Sequence, residues 1–447
     1  MMWKEMTLTG WGRSSRATVA AGRPERARDL TALLGDHHAR GVIAYGSGRS
    51  YGDAPLNDGG QVLLTGRLNR LLSFDADTGE LVCEAGVTFA DLQRVFLPRG
   101  FCVPVTPGTA FATIGGAVAN DVHGKNHDRV GSFGDHVLWL DLVLASGAVE
   151  RVSPDHHPEL FAATIGGVGL TGVILHVCFR MIPVPSPWLT VREQRIADLD
   201  GFFDAFESVR DEADYSVGWI DGLARGRRLG RGILETAAFA DGAVRPVAAR
   251  RPRRVPVDLP GIALNPLSVA LFNRLYYRRV PARGRSRAVP AERFFYPLDG
   301  LHDWNRIYGK RGFYQFQCVI PDDAARAGIR LALEEIGAAR SASFLAVLKT
   351  LGGAGRGHLS FPMRGYTLAL DFPRRDKAGA LLVRLERIVL DHGGRVYLAK
   401  DAVLSADGFA AMYPGLADLR AVLAEVDPDR RFQSDLARRL GIAGRES

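Results

Sequence analysis

Three small-residue segments, each beside an apolar run, constrain this chain more than anything else in it. The first is Ala44-Tyr45-Gly46-Ser47-Gly48-Arg49-Ser50-Tyr51-Gly52-Asp53, which empties out of Val42-Ile43-Ala44. The second joins Pro107-Gly108-Thr109 to Thr113-Ile114-Gly115-Gly116-Ala117-Val118-Ala119-Asn120-Asp121-Val122-His123-Gly124-Lys125-Asn126. The third is Ile165-Gly166-Gly167-Val168-Gly169-Leu170-Thr171-Gly172-Val173-Ile174. Small residues let backbone lie against a bound group, and glycine adopts the positive φ that nests of N–H groups around an anion require. The first segment alone reads first as a surface hairpin turn, with a phosphate nest as the sharper alternative. All three together are what an extended diphosphate cofactor needs. They are not a G-x-G-x-x-G fingerprint, because Asp53-Ala54-Pro55-Leu56-Asn57 breaks structure where that motif opens a helix.

The stretches GSGRSYGD, GGAVANDVHGKN and GGVGLTG resemble the FAD domain of the vanillyl-alcohol-oxidase (PCMH) type. Within that type they resemble the decaprenylphosphoryl-ribose 2′-oxidases, the flavin half of the ribose-to-arabinose epimerases. The resemblance runs from Trp11-Gly12-Arg13 to Asp435-Leu436-Ala437-Arg438-Arg439-Leu440. It implies an α+β fold, with a two-part FAD-binding domain and a substrate domain built on an antiparallel sheet with flanking helices. The expected FAD-binding domain is 1–186 with a C-terminal return over 395–447, and the expected substrate domain is 187–394. The resemblance also implies that residues 44–53, Gly108, Thr113–Gly116, Asn120–His123, Ile174 and Tyr397 surround FAD. Several relatives tether their flavin to a histidine two residues after the second glycine of the first nest. Ser50 stands there, so the expectation is non-covalent FAD, and the aldonolactone and alditol oxidases fit less well.

At 447 residues the chain accommodates two or three domains. Cys83, Cys102, Cys178 and Cys318 are scattered through apolar runs with no CxxC or Cys/His cluster, so buried free thiols are expected and no metal site. The opening residues lack the apolar core of a signal peptide, and no run of about 18 apolar residues occurs. The net charge of +8 is local, since Arg225–Arg287 holds fifteen arginines against Glu235, Asp241 and Asp258. A mobile loop is the expectation for 225–290, and that composition also fits nucleic acid or an anionic lipid surface. The stretch LPGIALNPLSVALFNRLYYRR (259–279) is apolar, broken by Pro260 and Pro266, and edged with arginine, which suits an interface. Lipid is favoured over nucleic acid, because aromatic interleaving is sparse and no nucleic-acid motif is present.

Local patterns predict a helix over 24–34, a hairpin over 71–85, and a helix capped by Thr88 that stops at Gly100. Pro183-Val184-Pro185-Ser186-Pro187 reads as a linker. Further helices are expected over 199–213, 322–337 and 377–392, with strands around Trp219, 344–350 and 367–372.

Lys400 is the first candidate for a base: a lysine among apolar neighbours, once desolvated, takes a proton near neutrality. A surface lysine at a strand end has the same local sequence, and the Tyr-x-Ala-Lys-Asp match at 397–401 is what points to chemistry. His123 is expected over the flavin ring and Tyr51 beside it. Gln315 and Gln317 alternate, so both amides share one strand face and suit sugar hydroxyls. Lys125, Asn126 and Trp219 are further substrate candidates, and Lys349 is the candidate for a substrate phosphate. Ala369 stands where the resembled enzymes carry cysteine, so thiol-directed reagents find no target there. The resulting expectation is oxidation of the C2 hydroxyl of a polyprenyl-phospho-ribose, with a short-chain reductase completing epimerisation. The expected location is the cytoplasmic face of the inner membrane, with the periplasmic face as the alternative. Oxidation of a soluble sugar or polyol is the second reading, and a flavoprotein scaffold without turnover the third.

Overall fold

The structure, a computed structural model, describes residues 2–36, 38–241, 247, 253–341 and 344–444. Three main sheets organise it. In the first, strands Lys4–Thr9 and Arg16–Gly22 pair antiparallel, while Arg16–Gly22 and Val42–Tyr45 both run parallel to Gln61–Leu64 between them. That parallel pairing excludes a hairpin for the first glycine segment. The loop instead bonds to distant backbone: Trp11 N–H to Ser50 O (2.8 Å), Gly12 N–H to Tyr51 O (3.1 Å) and Tyr51 N–H to Ala399 O (2.9 Å).

The second sheet is antiparallel, in the order Leu71–Phe74, Glu80–Glu84, Val173–Arg180, Val137–Val143, Val149–Val152. The expected hairpin supplies its first two strands. Thr88 caps the helix Phe89–Phe96 by accepting from Asp91 N–H, and Gly100 stops the following turn at φ +82°. The helix expected from Pro24 begins later, at Ala27–Leu34, because Asp29 Oδ2 already accepts the N–H groups of Glu25 and Arg26.

The third sheet has eight strands: Arg285–Pro290, Trp188–Ile196, Gly232–Phe239, Tyr215–Ile220, Ala346–Leu351, Gly365–Pro373, Phe313–Pro321 and Arg395–Val396. Register puts Gln317 opposite Ala369, Ala369 opposite Val347, Val347 opposite Trp219, and Val217 opposite Glu235. Side chains alternate along a strand, so these residues together with Gln315 and Lys349 lie on one face. The other face is covered by helices. A Cβ on Gly218 would meet Phe202 of helix Leu199–Val209, and one on Gly328 of helix Asp322–Ala339 would meet Ile320.

The arginine-rich stretch 225–290 departs from the expected mobile loop. It contributes strands Gly232–Phe239 and Arg285–Pro290 and the helix Pro266–Arg278; residues 242–246 and 248–252 lie outside the described residues. Acidic partners explain the order. Glu193 is fully buried and takes Arg279, Arg285 and Arg287, and Asp221 takes Arg231 (2.6 Å).

The end of the chain packs on the first sheet. Val42 N–H donates to Arg431 O, Gln433 N–H to Val42 O and Asp435 N–H to Leu56 O. Arg439 forks onto Asp53 (2.8 and 2.9 Å) and reaches Asp401 (2.8 Å).

Candidate active site

A cavity of about 670 Å³ separates the glycine segments from the open face of the eight-stranded sheet. On one side runs the first loop, where Gly48 holds φ +61° and a Cβ would strike the Tyr45 phenol. Gly46 abuts Thr113, the N-cap of the short helix Ile114–Ala119, so the first two segments close on each other because neither carries bulk there. The N–H groups of Ser47, Gly48, Arg49 and Ser50 donate to no protein acceptor among the described residues. Three buried side-chain atoms that line the same space are also unpaired: Arg49 Nε, Asn120 Oδ1 and His123 Nδ1. Buried polar groups ordinarily have partners, so this set describes a mould for a polar guest.

The chemistry gathers where these segments meet the sheet. Gln317 Nε2 lies 2.8 Å from His123 Nε2 and 3.1 Å from Thr367 Oγ1. The amide donates, so the imidazole accepts at Nε2 and carries its proton at Nδ1. Burial, then the nearby Lys349 ammonium, holds the His123 imidazolium form well below its ordinary range. Lys400 Nζ stands 3.8 Å from the centre of the Tyr51 ring. Burial lowers its pKa to about 7, with Lys349 adding to the effect and Asp371 opposing it. Asp371, completely buried, accepts from Gln315 Nε2 (2.6 Å) and Tyr308 Oη (2.9 Å), and burial raises its pKa to about 7. Lys349 donates to Gly124 O (3.3 Å) and is lowered to about 7, mainly by burial. Lys125 donates to Phe294 O, lies 4.1 Å over the Phe294 ring, and is lowered to about 8 by burial. Three amines poised near neutrality around a neutral imidazole can take up a proton or meet an anion.

Most sequence candidates line this cavity. Ala44, Gly46, Ser47, Gly48, Arg49 and Ser50 form one side, with Gly108, Thr113, Gly115, Gly116, Asn120 and Val122 adjoining. Tyr51, His123, Ile174, Tyr397 and Lys400 also border it, as do Trp219, Gln315, Gln317, Lys349 and Lys125.

Six candidates do not border it. Tyr45 donates its hydroxyl to Thr9 O (3.0 Å) and borders a second cleft instead. Gly52 packs against the Asp401 backbone, and Asp53 is engaged by Arg439. Ile114 is core. Asp121 accepts from Ser360 Oγ (2.6 Å) and Gly134 N–H (3.0 Å), bracing the loop behind the wall. Asn126 donates to Pro104 O (2.8 Å).

Several residues of the site carry no motif in the sequence. Trp11 and Phe111 stack on the Arg49 guanidinium at 4.1 and 5.0 Å. Phe272, Tyr276 and Phe344 roof the cavity near Trp219, and Asp371 sits behind Lys400. The one signal available for Asp371 is alternation, since it continues the Ala369 face of its strand.

A family model described as an FAD binding domain matches residues 16–153. The decaprenylphosphoryl-beta-D-ribose oxidase of Mycolicibacterium smegmatis is 36% identical over 450 residues, covering 97% of each chain. The chain belongs to the decaprenylphosphoryl-ribose oxidase family. It is an oxidoreductase acting on CH–OH groups, and its cofactor is FAD. A Streptomyces coelicolor protein, described only as an uncharacterized protein in the mprA 5′ region, is 37% identical over 382 residues, 80% of this chain and all of that one. The L-gulonolactone oxidase of Bos taurus is 29% identical over 159 residues, 36% of each chain. The bovine enzyme thus matches about a third of the chain, and the mycobacterial oxidase nearly all of it. Among the described residues no helix is long and apolar enough to cross a membrane, and no cluster of His, Cys, Asp or Glu could hold a metal ion.

Proposed function

We propose that this chain oxidises the C2 hydroxyl of a polyprenyl-phospho-ribose to the 2-keto sugar, the first half of an epimerisation to arabinose. The observation that carries the reading is the place on the cavity where His123 and Tyr51, carried by the glycine segments, meet Gln317 of the sheet and Lys400. The unpaired donors of Ser47–Ser50 suit the diphosphate of FAD, and Asn120 Oδ1 and His123 Nδ1 suit its polar ring and the substrate beside it. Bound FAD, held non-covalently because Ser50 offers no imidazole, supplies the acceptor for the C2 hydride. Lys400, neutral in part near pH 7, takes the hydroxyl proton. His123, fixed by Gln317, orients the sugar, and its burial keeps a second positive charge away from Lys400. Lys349 and Lys125 meet the substrate phosphate, which lies next to C2 in such a molecule.

The partners follow from the chemistry of the product. A short-chain reductase returns the 2-keto sugar to the opposite C2 configuration. The apolar and arginine-edged helix Pro266–Arg278 rests on an anionic membrane surface from which the substrate is drawn, at the cytoplasmic face of the inner membrane. The test is anaerobic: a prenyl-phosphoryl ribose added to the purified holoprotein should bleach the flavin absorbance. A flavin that stays oxidised with every prenyl-phosphoryl pentose, yet bleaches with a soluble polyol, would discard the reading.

A further inference from the structure

The helix Pro266–Arg278 is fastened over the cavity by polar groups. Asn273, wholly buried, donates Nδ2 to Asp221 Oδ1 (2.7 Å), the same carboxylate that Arg231 holds. At the C-terminal end Arg279 reaches Glu235 (2.7 Å) and Glu193. These two clamps fix the helix without filling the space beneath it, and aromatic rings stand there instead. Tyr276 stacks on Phe272 at 5.5 Å and lies 4.7 Å from Trp219, and Phe344 lies 5.4 Å from Phe272. Trp219 donates its indole N–H, its only polar side-chain group, to Phe344 O (3.0 Å).

Phe272 lines the cavity and is nevertheless 42% exposed. Beside it Leu267, Leu271 and Leu275, spaced four apart on one helix stripe, are 83%, 60% and 63% exposed. Apolar surface therefore continues from the outside of the helix, past Phe272, to the sheet floor. The other end of that path is cationic. Lys349 is two residues from Val347, which pairs with Trp219 on the neighbouring strand, about 4.8 Å away. From Lys349 the apolar lining runs through Val347 on the same strand face to Trp219 on the neighbouring strand and Tyr276 against it.

We propose that this aromatic passage receives the isoprenoid chain of a prenyl phosphate, with Trp219, Tyr276 and Phe272 against the first units and the leucine stripe against the next. It deepens the substrate reading above, and rests on that reading for the identity of the guest. A soluble polyol would make no use of such a path, whereas each methylene of a prenyl chain buried along it adds affinity.

The probe is farnesyl phosphate, kept below its micellar concentration, against ethyl phosphate, titrated calorimetrically into the holoprotein. Neither carries the sugar, so binding is read apart from oxidation. Farnesyl phosphate should bind at least tenfold more tightly. Phe272→Ala and Tyr276→Ala should each erode that preference at least fivefold, while Phe272→Leu, which keeps apolar contact, retains most of it. An unchanged flavin spectrum in each variant certifies folding. Equal affinity for the two phosphates in the wild type, or an undiminished preference in both alanine variants, overturns the passage. Turnover of farnesyl-phosphoryl ribose is scored separately: its failure beside a clear chain-length preference removes the sugar assignment and leaves the passage supported.

Discussion

Lys400 and Asp371 occupy one buried pocket, and burial pushes both toward neutrality: the amine down to about 7 and the carboxyl up to about 7. The amine takes a proton only when neutral, so single-turnover flavin reduction should rise with pH through about 7. Lys400→Met should lower that rate by about 10²–10⁴, the usual contribution of a positioned base. If the rising limb survives in that variant, another group is the base. The groups facing Lys400 are Asp371, Lys349, Tyr51 and His123, and Asp371 is the one among them whose charge favours the ammonium. Asp371→Asn should therefore lower the Lys400 pKa further and move the limb to lower pH. Gln317→Leu leaves His123 Nε2 buried without its partner. The expected cost is about 1–3 kcal/mol, read as a lower urea midpoint, together with a shifted flavin spectrum.

Among the elements, the first glycine loop is the most exacting. It leads out of Val42–Tyr45 toward Gln61–Leu64, and because those two strands run parallel it cannot close on itself, so its N–H groups stay available for an anion. Gly48 has both a left-handed φ and a phenol where a Cβ would go. An L-residue there costs about 1–2 kcal/mol in backbone alone. Gly48→Ala should accordingly be isolated with less flavin, its FAD affinity down about tenfold, as the ratio of flavin to protein absorbance would show. The glycine pattern makes this loop legible in the sequence. The helix Pro266–Arg278 is not legible in the same way. Arg279 at its C-terminal end looks solvated in sequence, and Glu193 and Glu235, carried on two strands of the sheet, give it partners.

At the scale of the whole molecule, Arg439 ties the helix Asp435–Leu440 to both the glycine loop and the Lys400 turn by way of Asp53 and Asp401. Replacing it leaves two buried carboxylates facing each other. Arg439→Met should lose about 3 kcal/mol of stability, seen as a lower urea midpoint at pH 7. A second whole-molecule expectation concerns the cofactor. Acid precipitation should release all of the yellow chromophore into the supernatant, and colour retained in the pellet would mean a covalent bond at some other residue.

Taken by itself, the sequence determined whatever depends on short-range backbone demands. It located the three glycine segments, whose small residues are required locally wherever backbone must lie against a guest. It also placed Gln315 and Gln317 on a shared face, since a strand alternates with period two whatever surrounds it. Only the tertiary structure decided which polar groups are already paired and which are free. Asp53, Asp121 and Asn126 look as available as Lys400 and Lys349 along the chain, yet Arg439, Ser360 and Pro104 O engage them. Desolvation is a property of the surrounding fold, not of neighbours in sequence, so the amines poised near neutrality emerge once the sheet, the loops and the C-terminal segment enclose them.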